Sequence, residues 1–138
     1  MLVSRMAGKA AFASILVALV ALVSSCAPWP ITTAGTEEGI ASYYSNDFNG
    51  RRTADGELFD NSKLTAAHRT YPFGTVVRVT NLATNASVEV RINDRGPVKR
   101  ERVIDLTQAA ARAIGIVQAG LGRVKLEVVE WGKATMKS

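Results

Sequence analysis

Two segments, TVVRVTN (Thr75–Asn81) and SVEVRIN (Ser87–Asn93), do most to limit what this chain can fold into. Each alternates apolar and polar side chains with a period of two, which lines one face of an extended strand with apolar groups. Both therefore need a core on one side and tolerate water on the other. The short linker LATNA between them is a hairpin connection. A third segment, RVKLEVV (Arg123–Val129), repeats the alternation, and the aromatic-ended Ile40–Tyr44 is a shorter strand of the same kind. The chain is thus expected to be mainly β.

One helix interrupts the pattern at Thr107–Ile114, TQAAARAI. The Thr107 hydroxyl can cap its first turn, and Gly115 can close its end in a left-handed conformation. Phe73-Gly74 and Gly96-Pro97 mark turns around the hairpin strands. The strands recur at uneven spacing with polar loops between them, so a small barrel carrying one short helix fits better than a sandwich.

The first residues have the layout of an export signal. Arg5 and Lys9 precede an uncharged apolar run, Ala10 to Val23, and small residues lead to Cys26. That run is shorter than the roughly 20 residues that span a bilayer, which disfavours a permanent transmembrane helix. Residues 1–25 are therefore read as a signal peptide. Cys26 is the chain's single cysteine, so no internal disulfide can form and an exported fold must rely on its core. The net charge of +5 falls by two with the loss of Arg5 and Lys9. A mild positive balance suits an anionic envelope polymer, whereas nucleic acid is excluded as a partner by the lack of a basic run in an exported chain. Residues 26–38, with two prolines and three threonines, read as a tether, followed by a domain over 39–130 and a tail over 131–138. The chain is expected to act as a monomer, without cofactor or metal.

Polar residues gather in three places: Asp55, Glu57, Asp60 and His68 within RTADGELFDNSKLTAAH; Asp94 and Arg95 within INDRGP; and Asp105 within VIDLT. Each has an ordinary structural explanation. Asp55-Gly56 is a common turn pair, Asp60 can cap a turn, Asp105 lies near a helix start, and a lone histidine is more often a structural hydrogen-bonder than a catalyst.

Jointly, the motifs ASYY, GRRTADGE, LTAAH, PFGT, VRVTN, RINDRGP and IDLT, in this order from Gly39 to about Val129, resemble the rare lipoprotein A (RlpA-like) family. Val23-Ser24-Ser25-Cys26 resembles a lipobox, which implies lipid attachment at Cys26, anchoring to a membrane and a place in the cell envelope. Ala27, where sorting to the inner membrane would favour Asp, leans toward the outer membrane of a Gram-negative host. The resemblance implies a six-stranded double-psi β-barrel with one or two short helices. It also implies lytic transglycosylase activity on peptidoglycan glycan strands stripped of stem peptides. Carried over by motif, the catalytic set is Glu57, Asp60, His68 and Asp94. Ser45, Asn49 and Asp55 depart from the family's usual residues, and no SPOR module is expected after the domain.

Such a reaction needs one acid to protonate the glycosidic oxygen. The C6 hydroxyl of muramic acid then closes a 1,6-anhydro ring and gives up its own proton. Asp94 is the expected acid/base, with Glu57 and Asp60 as like charges favouring its protonated form. Tyr44, Phe48, Thr53 and Arg95 are expected to contact sugar. Two other classes stay open: an expansin-like module that binds glycan without cutting it, and a hydrolase that uses water.

Overall fold

The computed structural model describes residues 35–133. The signal segment, Cys26 and most of the expected tether lie outside the described residues. Six strands form a closed barrel: β1 (Thr36–Tyr43), β2 (Thr65–Ala67), β3 (Val76–Asn81), β4 (Ser87–Asp94), β5 (Arg102–Leu106) and β6 (Gly122–Glu130), with helix α1 (Gln108–Ile114) between β5 and β6. Around the barrel the order is β1-β5-β2-β4-β3-β6. The β1–β5 and β2–β4 pairs are parallel, and the remaining neighbours are antiparallel. This crossed connectivity is the double-psi β-barrel.

The alternation in the sequence becomes an inside and an outside. Val77 and Val79 of β3, Val90 and Ile92 of β4, and Val124 and Leu126 of β6 are almost wholly buried, and apart from Asn93 the residues that flank them are half-buried or exposed. Burying such a side chain contributes about 1.5–3 kcal/mol, and truncating Leu126 to alanine should cost about 2–5 kcal/mol. Helix α1 packs Ala110, Ala111 and Ile114 against this core. Thr107 caps it by accepting from the Ala110 N–H, and Gly115, at φ 77°, ends it. The Asn81 side chain donates to the Ile114 carbonyl at 2.8 Å, fixing the helix to β3.

Three boundaries differ from the sequence expectation. β1 begins at Thr36, so the last three residues of the expected tether are strand. They pair backbone to backbone with β6, from Thr36↔Glu127 onward, and such pairing needs no apolar alternation. Residues 131–133 are not free tail, because Trp131 packs edge-on against Tyr71 at 5.4 Å and the Gly132 N–H donates to Thr75 Oγ1 at 2.9 Å. β2 and β5 occupy LTAAH and VIDLT, which read as polar clusters in the sequence. Both lie between two neighbours, and all three residues of β2 are buried, so neither shows the alternation of a half-exposed strand.

Candidate active site

The polar residues collect at the ends of β4 and β5, on either side of β2. Asp94 is the last residue of β4, half-buried, with its carboxylate held by three donors. The Tyr44 hydroxyl donates to Oδ2 at 2.7 Å, and the backbone N–H groups of Ala54 and Arg95 each donate to Oδ1 at 2.9 Å. The Tyr44 ring packs on Phe59 at 4.6 Å and Phe48 at 5.4 Å, which fixes where its hydroxyl points. Burial first, then the bond to Asp94 and the charges of Asp94 and Asp105, push the Tyr44 ionisation far above the ordinary phenol value. Tyr44 is thus a neutral donor across the physiological range. Tyr44 is half-buried by this packing, whereas Phe48 is 40% exposed.

The loop carrying Ala54 is a tight turn. Thr53 N–H donates to the Glu57 carbonyl at 2.8 Å, and Asp55 Oδ1 accepts from the Thr53 hydroxyl and the Glu57 N–H. Gly56, at φ 93°, supplies the left-handed residue that the turn needs. Asp55 N–H bonds the Asn93 carbonyl at 3.2 Å, which lays the turn across the end of β4. Thr53, expected to contact sugar, is buried with its hydroxyl engaged inside the turn.

The expected catalytic set separates. Glu57 forms a two-pronged pair with Arg91 at 2.6 and 2.7 Å, and chiefly those bonds hold its carboxyl at about 2 against an ordinary 4.5. Its charge is therefore compensated by Arg91 rather than turned on Asp94. Asp60 is partly exposed and accepts from the hydroxyl and N–H of Ser62, bonds that hold its carboxyl below the ordinary carboxylate value. It lines a cleft of about 440 Å³ with Leu58, Phe59, Lys63 and Gly50.

His68 is buried and stacked on Tyr71 at 3.6 Å. Its Nδ1 accepts the N–H groups of Thr70 and Tyr71, so the proton sits on Nε2, 3.0 Å from Glu37 Oε2. That geometry is a neutral hydrogen bond, not an ion pair; burial lowers the imidazole below its ordinary value and outweighs the opposing pull of Glu37. Arg95 points its guanidinium away from Asp94, donating to the Tyr71 carbonyl at 2.8 Å and the His68 carbonyl at 3.2 Å and lying over the Phe73 ring at 3.9 Å. Arg95 and His68 thus position the chain around Asp94, with only the Arg95 N–H on the carboxylate.

Ser42, Arg102 and Asp105, which the sequence reading left outside the site, line a pocket of about 200 Å³ together with the expected Tyr44 and Phe48. Asp105 appeared in the sequence as a helix-start carboxylate, but in the barrel it is a strand residue facing this pocket. Nothing in the local sequence pairs it with Ser42, 63 positions away.

The closed six-stranded barrel with its crossed, partly parallel strand order makes the chain a double-psi β-barrel protein. Residues 36–126 match the family model described as lytic transglycolase, and the chain belongs to that family. A relative from Synechocystis sp., "Probable endolytic peptidoglycan transglycosylase RlpA", is 62% identical over 92 residues, covering 67% of this chain and 29% of its own length. The "Endolytic peptidoglycan transglycosylase RlpA" of Campylobacter jejuni is 43% identical over 107 residues, covering 78% of this chain and 39% of its own length. The chain therefore spans well under half the length of these relatives. Among solved structures, an expansin from Clavibacter michiganensis aligns with a TM-score of 0.57 at 21% identity, over 72% of this chain and 52% of its own. A Streptomyces papain inhibitor aligns with a TM-score of 0.56 at 23% identity, over 69% and 94% respectively. These likenesses show the fold alone.

Proposed function

We propose that this domain is a lytic transglycosylase that cleaves the β-1,4 bond between N-acetylmuramic acid and N-acetylglucosamine in peptidoglycan strands, leaving 1,6-anhydro-muramic ends. The names of the relatives support the substrate, and one observation carries the chemistry: Asp94 stands at the end of β4, oriented by two backbone N–H groups and by Tyr44, which itself lines a pocket with Asp105. Asp94 protonates the glycosidic oxygen as C1–O4 breaks. The C6 oxygen of the same sugar bonds to C1, and its proton passes to a carboxylate of the site, so no water enters the product. The Tyr44 hydroxyl can donate to the ionised Asp94 and turn to accept from the protonated form, steadying both stages. Glu57 keeps the Ala54 turn in place through Arg91, His68 fixes the strand end, and Asp60 with Phe48 offers contacts for neighbouring sugars.

Cys26 carrying lipid, with the domain tethered to the membrane on the envelope side, is the reading that the Val23–Cys26 pattern supports. Metabolic labelling with a palmitate analogue, lost on Cys26→Ser, would test it. The activity is tested by incubating the domain with peptide-free glycan strands and weighing the products. Anhydro ends made by wild type and lost on Asp94→Asn support the assignment. Water-added ends would make the domain a hydrolase, and binding without cleavage an expansin-like module.

A further inference from the structure

The barrel register sets a second carboxylate beside the first. Ala67 of β2 is the partner of Asp94 across the β4 side and of Asp105 across the β5 side. Two acids thus flank one alanine, two strand spacings or about 10 Å apart at the backbone. Gly96 passes over the gap with φ 137°, and a Cβ there would lie 3.7 Å from Asp105 Oδ2 and 3.9 Å from the Ala67 methyl. A small residue at 67 and none at 96 keep the space between the acids open. The Tyr44 hydroxyl, bonded to Asp94, feels the charge of both.

Asp105 is also aimed. The Ser42 hydroxyl donates a short hydrogen bond to Oδ1 and itself accepts from Arg102 Nη1 at 2.9 Å. Arg102 Nε stays 3.9 Å from Oδ1 and is buried without a partner among the described residues. A merely structural pair would close that contact directly. Here serine is interposed, one oxygen is fixed, and Oδ2 is left toward Gly96 and the groove, while the pocket beside Asp105 offers about 200 Å³.

We propose that Asp105 is the base of the reaction, taking the proton of the attacking C6 hydroxyl while Asp94 delivers its own to the leaving oxygen. This rests on the cleavage proposed above. In one turnover C1–O4 breaks, C6–O bonds to C1, the Asp94 proton ends on the departing sugar and the hydroxyl proton ends on Asp105. Exchange with solvent then returns a proton to Asp94 and removes one from Asp105.

The test uses Asp105→Ala and Asp105→Asn on peptide-free glycan strands. Both should lower kcat on the order of a hundredfold with KM within about threefold, the usual span for a lost general base. Added formate should restore part of the rate to Asp105→Ala, because a small carboxylate can occupy the vacated space, and should leave wild type unchanged. Thermal melts of both Asp105 variants control for folding. Asp105→Ala cutting at the wild-type rate, or a folded Asp105→Ala that loses rate without any rescue by formate, would overturn the proposal while leaving Asp94 in place. If wild type itself leaves no anhydro ends, the cleavage reading fails first and the role of Asp105 falls with it.

Discussion

Replacing Glu57 with glutamine tests how the turn that carries Ala54 is held. The carboxylate meets Arg91 through two bonds of 2.6 and 2.7 Å, with Asp55 a further 3.8 Å from the same guanidinium. A carboxyl held at about 2 instead of 4.5 would, if fully shielded, correspond to about 3 kcal/mol. Glu57 leaves 41% and Arg91 39% of the side chain exposed, and solvent screening brings the contribution down to about 1 kcal/mol. The folded value lies below the unfolded one. The stabilisation is therefore complete above about pH 4.5 and is lost as pH falls through about 2. Urea unfolding of wild type and Glu57→Gln at several pH values measures it together with its coupling to Asp55, which shares Arg91. The gap should be about 1 kcal/mol at pH 7 and should largely close by pH 2. A gap as wide at pH 2 as at pH 7 would show that Glu57 acts through something other than its charge on Arg91.

Tyr44→Phe keeps the ring contacts with Phe59 and Phe48 but removes the donor on Asp94 Oδ2. A hydrogen bond to a charged group contributes about 1.5–3 kcal/mol, so kcat should fall roughly 10- to 100-fold with KM and the melting temperature little changed, as steady-state kinetics and calorimetry would report. Asp60→Ala, at the exposed cleft beside Lys63, should raise KM about tenfold on long strands and spare kcat; a large loss of kcat instead would return Asp60 to the chemistry. His68→Ala leaves the Thr70 and Tyr71 N–H groups without an acceptor and should cost about 2–4 kcal/mol in denaturant unfolding. Because burial depresses the folded imidazole, wild type should lose His68-linked stability as pH falls below about 6.5 toward the lower folded value, and His68→Ala should lose that part of the slope.

The half-exposed parts of the barrel were the parts a reader of the sequence could see. β3, β4 and β6 alternate because one face meets water, and α1 announces itself through Thr107 and Gly115. β2 is three buried residues between two partners, so it has no outside and no periodicity. The site divides along the same line. Asp55-Gly56 was legible as a turn because the turn is local. The bonds that define the groove join Ala54 to Asp94, Tyr44 to Asp94 and Ser42 to Asp105 across 40, 50 and 63 positions, and only barrel closure brings them together. Glu37 lay in a segment without apolar alternation, yet β1 carries it to His68.

That dependence on closure explains why so small a strand matters. β2 runs parallel to β4 and antiparallel to β5, so the chain must cross to insert it between them. In a simple meander β4 would be joined directly to β5, and Asp94 and Asp105 would sit on adjacent strands about 5 Å apart. Inserting one strand doubles that spacing, and making its residue an alanine, beneath a glycine, keeps the added space open. Tyr44, just past the end of β1, donates its backbone N–H to the Leu106 carbonyl of β5 at 2.9 Å, and its hydroxyl then reaches Asp94. The groove is thus a product of strand order, and the loops add to it the turn that secures Asp94 and the aromatic side chains around Tyr44.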